Sequence, residues 1–295
     1  MPQTSEKSLE RAVETGTLRA LKSIEARYEY ASEARDNLPF HNRAHTEGVV
    51  RRTKIILTAI GLGNPNLING RDIQIGQLAA AYHDTVQGYE LAPTNEGAFT
   101  KLQRKRFTTQ NEKASAGEAL EYMHHVGPVF KEKDARAVRE AIEATIPEFN
   151  PELKTVMQPN VTNNSSLVAR AVALADLGVA GMDGPDAYLP EGDALFREEN
   201  LDIEAVFTDK VDISPEQKEY FRGRMLAWCN FQPKFAEGRK ALLDSEIAAI
   251  PMPARENVKA LFNKFDETIV ASSAKAKERS SMTFEQLARD MGYKI

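Results

Sequence analysis

Cysteine is almost missing from this chain of 295 residues. The single one, Cys229, excludes an internal disulfide and points to a reducing compartment. Also missing is any apolar run near the roughly 18 residues that a membrane span requires. The amino-terminal stretch MPQTSEKSLERAVE is charged and lacks the apolar centre of a secretory signal. A cytoplasmic protein without a membrane partner is therefore expected. No charge of one sign dominates, and a formal net charge of −5 gives no reason to expect a dedicated nucleic-acid binder. No internal repeat, low-complexity tract or clear linker divides the chain. What remains, 42% hydrophobic and 27% charged residues, is ordinary for a globular protein long enough to bury a sizeable core.

The apolar periodicity is helical almost throughout, so the fold class read from it is all-α. Residues 6–32 place Leu9, Val13, Leu18, Leu21, Ile24 and Tyr28 near one face, and Asn37-Leu38-Pro39 stops that helix. A second helix is expected from about His41 to Ile60, closed by Gly61. Residues 72–84 are apolar on most sides, which marks a buried helix. Residues 85–110 contain Gly88, Pro93, Asn95 and Gly97 with little periodicity and read as a long loop, with the basic run Lys101–Arg106 near its end. Helices are expected at about 111–126, 134–146 (stopped by Pro147) and 164–180, the last capped by Asn163, Asn164 or Ser165. Capping patterns at Ser214-Pro215-Glu216-Gln217 and Thr283-Phe284-Glu285-Gln286 open further helices, and Pro251 and Pro253 mark a break. The domain reading is one unit: an N-terminal helix over 1–37 packing on a core of 38–200, and a helical extension over 201–295.

Five histidines carry the chemical information. Two lie in Phe40-His41-Asn42-Arg43-Ala44-His45, four apart and so on one face if the segment is helical. A third sits beside a carboxylate in Ala81-Tyr82-His83-Asp84, at the end of the buried helix, and Asp176 interrupts the apolar run Val172–Leu177. A His-Asp dipeptide alone is common, and a hydrogen-bonded buried pair would account for it. Together with His45 upstream and Asp176 downstream, however, His83 and Asp84 make a set of imidazole and carboxylate ligands for one divalent cation. Such donors do not distinguish Mg, Mn, Fe, Co, Ni and Zn.

In their order, His41-Asn42-Arg43-Ala44-His45, His83-Asp84, Asn111-Glu112-Lys113-Ala114-Ser115 and Ala175-Asp176-Leu177 resemble the HD superfamily of metal-dependent phosphohydrolases. The resemblance spans about residues 38–200 and is closest to a predicted phosphohydrolase branch with an HNxxH start and an NExxS helix. The first motif also looks like that of cyclic-nucleotide phosphodiesterases. The resemblance implies an HD-type helical bundle with additional C-terminal helices, and His45, His83, Asp84 and Asp176 as the metal ligands. It implies His41 as the proton donor to the leaving oxygen, Glu112 close to the metal-bound water, and Lys113 against a substrate phosphate. The implied reaction is hydrolysis of a phosphate ester, of a nucleotide or a small phosphorylated metabolite, with Asp84 serving the water.

Two-metal members carry more histidines between the His-Asp pair and the last Asp. Here only His124 and His125 lie there, near a helix end where cationic side chains are ordinary, so one metal is expected. Glu112 could equally be a first-turn acid offsetting the helix dipole. Arg104 and Arg106 could hold phosphate as part of a lid, or the basic run could simply be solvated. Trp228, Phe231, Phe235 and Tyr220 read as core, and Asp183 as a turn residue. Arg222, Gln232 and Arg239 have no direction from sequence. Two rival functions stay open: a dinuclear iron oxygenase using His124 or His125, and a non-catalytic metal- or nucleotide-binding module. Oligomeric state is open as well.

Overall fold

The computed structural model describes residues 2–31, 36–97 and 99–294 and is mostly helical, with two small antiparallel sheets. Its first helix, α1 (Pro2–Ile24), runs on into a π-helical turn at Glu25–Glu29. Residue 32, the predicted end of that helix, lies outside the described residues. Leu9, Val13, Leu21 and Ile24 are buried as expected, but Leu18 is exposed. It stands nine residues from Leu9, two and a half helical turns, and so falls on the opposite face.

Helix α2 (Arg43–Gly63) starts after Asn42, whose side chain accepts the backbone N–H of His45. His41 therefore precedes the helix rather than sharing a helical face with His45. The helix also passes through Gly61, which keeps a right-handed backbone, and ends two residues later. Helix α3 (Gly70–Tyr82) opens on a reciprocal capping box between Asn69 and Asp72. From Ile75 onward it buries Gly76 and every residue from Leu78 to Tyr82. At Gly76 α2 packs closely: a Cβ there would lie 2.5 Å from Leu57 Cδ1. Short side chains on the central helix thus set how tightly its neighbours close.

The expected loop at 85–110 is instead a β-hairpin, β1 (Tyr89–Glu96) and β2 (Phe99–Arg106), in register from Tyr89 opposite Arg106 to Glu96 opposite Phe99. Most of β1 is exposed, so its residues need not alternate, and Pro93 and Asn95 are tolerated on an unpaired edge. A lone hairpin is marginal in water. This one is held at its tip, where Phe99 stacks on Tyr220 at 4.6 Å and Tyr220 donates to Glu96, and near its base by a bridge from Gln103 to Asn200.

Helices α4 (Gln110–Val126) and α5 (Glu132–Glu143) follow, and α5 stops three residues short of the predicted 146, its end closed by Thr145 donating to the Ile142 carbonyl. A short pair, β3 (Glu148–Asn150) and β4 (Thr155–Met157), leads to α6 (Leu167–Asp176). The cap of α6 is Ser166, not Ser165 or the asparagines, because the Ser165 hydroxyl closes the preceding turn with Thr162. Nor does α6 reach 180: it ends at Asp176, and a separate turn α7 (Val179–Met182) follows.

Helices α8 (Pro185–Glu199), α9 (Leu201–Thr208), α10 (Pro215–Glu246), α11 (Ala254–Leu261), α12 (Phe265–Arg279) and α13 (Phe284–Asp290) complete the chain. Ser214 caps α10 and Thr283 forms the expected capping box on α13. The described residues form two apolar clusters. The larger packs α1 to α6 with Leu243, Ile247 and Val258. The smaller joins Phe196, Ile203, Phe221, Met225 and Leu287. Helix α10 belongs to both, its first half facing the small cluster and its second half the large one. Among the described residues no helix is long and apolar enough to cross a membrane.

Candidate metal centre and cleft

Three helix ends meet. His45 lies in the first turn of α2, His83 caps the C-terminus of α3 with Asp84 next to it, and Asp176 is the last residue of α6. Ends of elements are where a polar group reaches the interior without breaking the apolar face behind it. The ligand atoms of these four residues lie within 4.8 Å of one another. His45 Nε2 is 3.6 Å from Asp84 Oδ2 and 3.5 Å from Asp176 Oδ1, and His83 Nε2 is 2.9 Å from Asp84 Oδ2 and 3.4 Å from Asp176 Oδ1.

The set fits a divalent cation. His83 Nδ1 lies 2.7 Å from the Ala80 carbonyl, which fixes the proton on that nitrogen and leaves Nε2 bare toward the cluster. His83 Nε2 and both ring nitrogens of His45 are buried with no hydrogen-bond partner among the described residues. Buried orphaned nitrogens are costly unless something fills the space between them. Two carboxylates would balance a dication. The electrostatics agree: burial alone would lower the His45 and His83 pKa values. Asp176 and then Asp84 and Glu191 lift His45 well above its ordinary range, and Asp84 and Asp176 push His83 up to about 10. Burial would raise both carboxyls, yet the neighbouring imidazoles hold Asp84 and Asp176 well below the usual carboxylate range. The pocket is built to hold positive charge.

Comparison with family models, curated proteins and solved structures gives no match.

The ligands have supports that spacing did not reveal. Gln87 donates to Asp84 Oδ1 at 2.7 Å, and Gln158 donates to Asp176 Oδ2 at 3.1 Å. Glu191, on α8, stands 3.6 Å from His45 Nδ1. Carboxamides and a carboxylate behind metal-type ligands fix their orientation. His41 is buried at the cleft beside the cluster, its ring 6.2 Å from that of His45. Its Nδ1 makes a short contact to the Glu198 carboxylate, which also accepts the backbone N–H groups of Phe40 and His41. Burial would raise the Glu198 carboxyl, but His41 holds it below its usual range. No sequence signal links Glu198 to His41, since it sits 157 positions away in an ordinary acidic helix end.

The remaining sequence candidates separate. Arg106 lines the cleft with Nη2 3.8 Å from Asp84 Oδ1. Arg104 also lines it, but its guanidinium donates to the carbonyls of Glu198 and Asn37 and lies over the Tyr89 ring, so it braces the wall. Glu112 is buried on the cleft, where one oxygen accepts the Thr109 N–H as part of a helix capping box. Lys113 is exposed and lines a neighbouring surface depression, not the cleft. Asp183 is more than a turn residue: it pairs with Arg51 and Arg52. Arg222 binds the carbonyls of Met282 and Ser280, and Arg239 pairs with Glu246, whereas Gln232 does face the cleft. Trp228, Phe231 and Phe235 line the cleft too, rather than serving only as core, while Tyr220 anchors the hairpin tip.

His124 and His125 are exposed in the last turn of α4, outside the four-ligand cluster. Changing both to alanine is expected to leave the number of bound ions per chain unchanged when the purified protein is assayed by elemental analysis. A fall in that number would show that a second ion depends on them.

Proposed function

We propose that this protein is a metal-dependent phosphohydrolase of the HD type. It would hold one divalent cation on His45, His83, Asp84 and Asp176 and cleave a phosphate ester. The observation that carries this reading is the meeting of those four ligand atoms within 4.8 Å, with their buried nitrogens unmet, beside a cavity of about 510 Å³. When bound, the cation would polarise a phosphoryl oxygen and lower the pKa of a water.

The chain's own groups supply the rest. Asp84 is held by Gln87 on one oxygen, and beside the attacking water it orients that water and takes its proton. Arg106 meets a phosphoryl oxygen from the hairpin side. His41, its Nδ1 committed to Glu198, has Nε2 left to give a proton to the leaving oxygen. Glu198 sets the angle of the ring, much as a buried carboxylate behind a catalytic histidine does.

Elemental analysis followed by a panel of phosphomonoesters and phosphodiesters tests the reaction class. His41→Ala is expected to retain the cation and to lose rate by about 10²–10⁴-fold. The loss should shrink for a nitrophenyl ester, whose leaving group needs little protonation. Equal losses on good and poor leaving groups would instead make His41 a support for a ligand or a water.

A further inference from the structure

The cavity lining is chemically mixed. Its polar part comprises His41, Asp84 and Asp176 with Arg106 and Glu112. Its apolar part includes Trp228, Phe231 and Phe235, which stand at i, i+3 and i+7 on α10 with successive ring centroids 5.6 Å and 6.0 Å apart. The polar atoms of that wall are already used. Trp228 Nε1 donates to the Gly192 carbonyl at 3.0 Å, and the Tyr188 hydroxyl donates to the Gln232 carbonyl at 2.7 Å. The indole and phenol therefore offer the cavity only carbon.

One polar group among the apolar lining is unmet. The Gln232 side chain is buried, faces the cavity, and has no hydrogen-bond partner among the described residues. It rests over Gly192, where a Cβ would come within 2.7 Å of its amide and push it aside. A buried amide with donor and acceptor both open asks for one polar substituent on an otherwise apolar ligand.

The polar part limits charge. Arg104 is committed to backbone carbonyls, and Lys105 is largely exposed and paired with Glu90. Arg106 keeps a buried Nε with no hydrogen-bond partner among the described residues. One guanidinium among Asp84, Glu112, Asp176, Glu191 and Glu199 suits one anionic group, not a chain of phosphates.

We propose that the cavity selects a ligand with a single anionic head beside the His/Asp cluster and an apolar, ring-sized body against α10, bearing one polar substituent at Gln232. For its head group this rests on the phosphohydrolase reading, and the substrate is then an ester of one phosphoryl group with an apolar alcohol. Nucleotides and sugar phosphates fit poorly. Their hydroxyls and base edges outnumber the wall's one open amide, and each buried polar group left unpaired lowers affinity by about 5- to 150-fold.

The test compares cyclohexylmethyl phosphate, ethyl phosphate and adenosine 5′-monophosphate on the metal-loaded protein, all esters of primary alcohols and so matched in leaving group. Burial of the extra carbons is expected to favour cyclohexylmethyl over ethyl phosphate by about 100-fold in kcat/KM. Phe231→Ser should collapse that ratio to within a few-fold, with helical content and metal content as folding controls. Phe235→Leu, milder in volume, should reduce it partially. Equal or faster turnover of the nucleotide or of ethyl phosphate overturns the proposal.

A binding readout separates the two readings. Trp228 is the only tryptophan, so energy transfer from it to anilinonaphthalene sulfonate, one anion on an apolar ring body, reports this wall. Transfer that is lost in Phe231→Ser, with no ester hydrolysed, would remove the phosphohydrolase reading and keep the ligand shape. Hydrolysis without transfer and without ring preference would do the reverse.

Discussion

Asp84→Ala is expected to abolish both cation binding and turnover while leaving the helical fold in place. Asp84 contributes a carboxylate to the cluster from the second residue after α3, outside the apolar run of the core helix. His83 and His45 would then face one carboxylate instead of two, and half the negative charge opposing a dication would be gone. The variant also strands the Gln87 amide, which donates to Asp84 Oδ1, so a modest stability loss of about 1–3 kcal/mol accompanies it. Elemental analysis of the purified variant, next to its far-ultraviolet circular dichroism, decides the matter. Full metal content in Asp84→Ala would remove it from the ligand set. His45→Ala should behave alike, in contrast to His41→Ala, which keeps the cation. That contrast distinguishes two histidines four residues apart.

A comparable effect, on stability, is expected at Arg52. Its side chain is 1% exposed, donates through Nε to the Ala175 carbonyl at 2.7 Å and pairs through Nη1 with Asp183 Oδ2. It therefore clamps α2 to the end of α6, one residue before Asp176 of the His/Asp cluster. Arg52→Met removes a buried cation from its partners and should cost about 3–5 kcal/mol in denaturant unfolding. Metal affinity should fall with it, because Asp176 loses its brace. An unchanged unfolding midpoint would show that the clamp is dispensable. Asp183→Asn should cost less, since Arg52 keeps the carbonyl. Burial would raise the Asp183 carboxyl, but Arg51 and Arg52 hold it below its ordinary range. Its folded pKa is thus depressed, so its stabilisation is complete above about pH 4 and is lost as pH falls further. Asp183→Asn should flatten the acid side of the stability profile.

The sequence was most readable where one element carries its own pattern. Residues 75–82 are apolar on nearly every side, and that alone places α3 in the interior with His83 and Asp84 at its end. Polar side chains carried inward by a buried helix need partners there, which is why the pair stood out as ligands. The hairpin did not show itself, since a strand as exposed as β1 needs no alternation and carries proline and asparagine without penalty. The aromatic residues of α10 show a different limit. A spacing of i, i+3 and i+7 says that Trp228, Phe231 and Phe235 share a face, but is silent on whether protein or a cavity lies across from it. Supports such as Gln87, Gln158, Glu191 and Glu198 belong to tertiary geometry. Each is a common residue in an unremarkable stretch, and only the fold brings it to its ligand.

The tie between Glu198 and the Phe40-His41 backbone also bears on the order in which the protein is assembled. The four residues of the His/Asp cluster lie between positions 45 and 176, whereas the carboxylate that seats His41 arrives from 157 residues further along the chain than His41 itself. During synthesis the His/Asp tetrad can close as soon as α6 has been made, but the histidine beside it stays unanchored until α8 docks. Contacts so distant in sequence are slow to form. On the proposed reading, a nascent chain would acquire its capacity for a cation before its capacity for acid chemistry, and an ion captured early would staple α2, α3 and α6 together while the remaining helices are still being laid down.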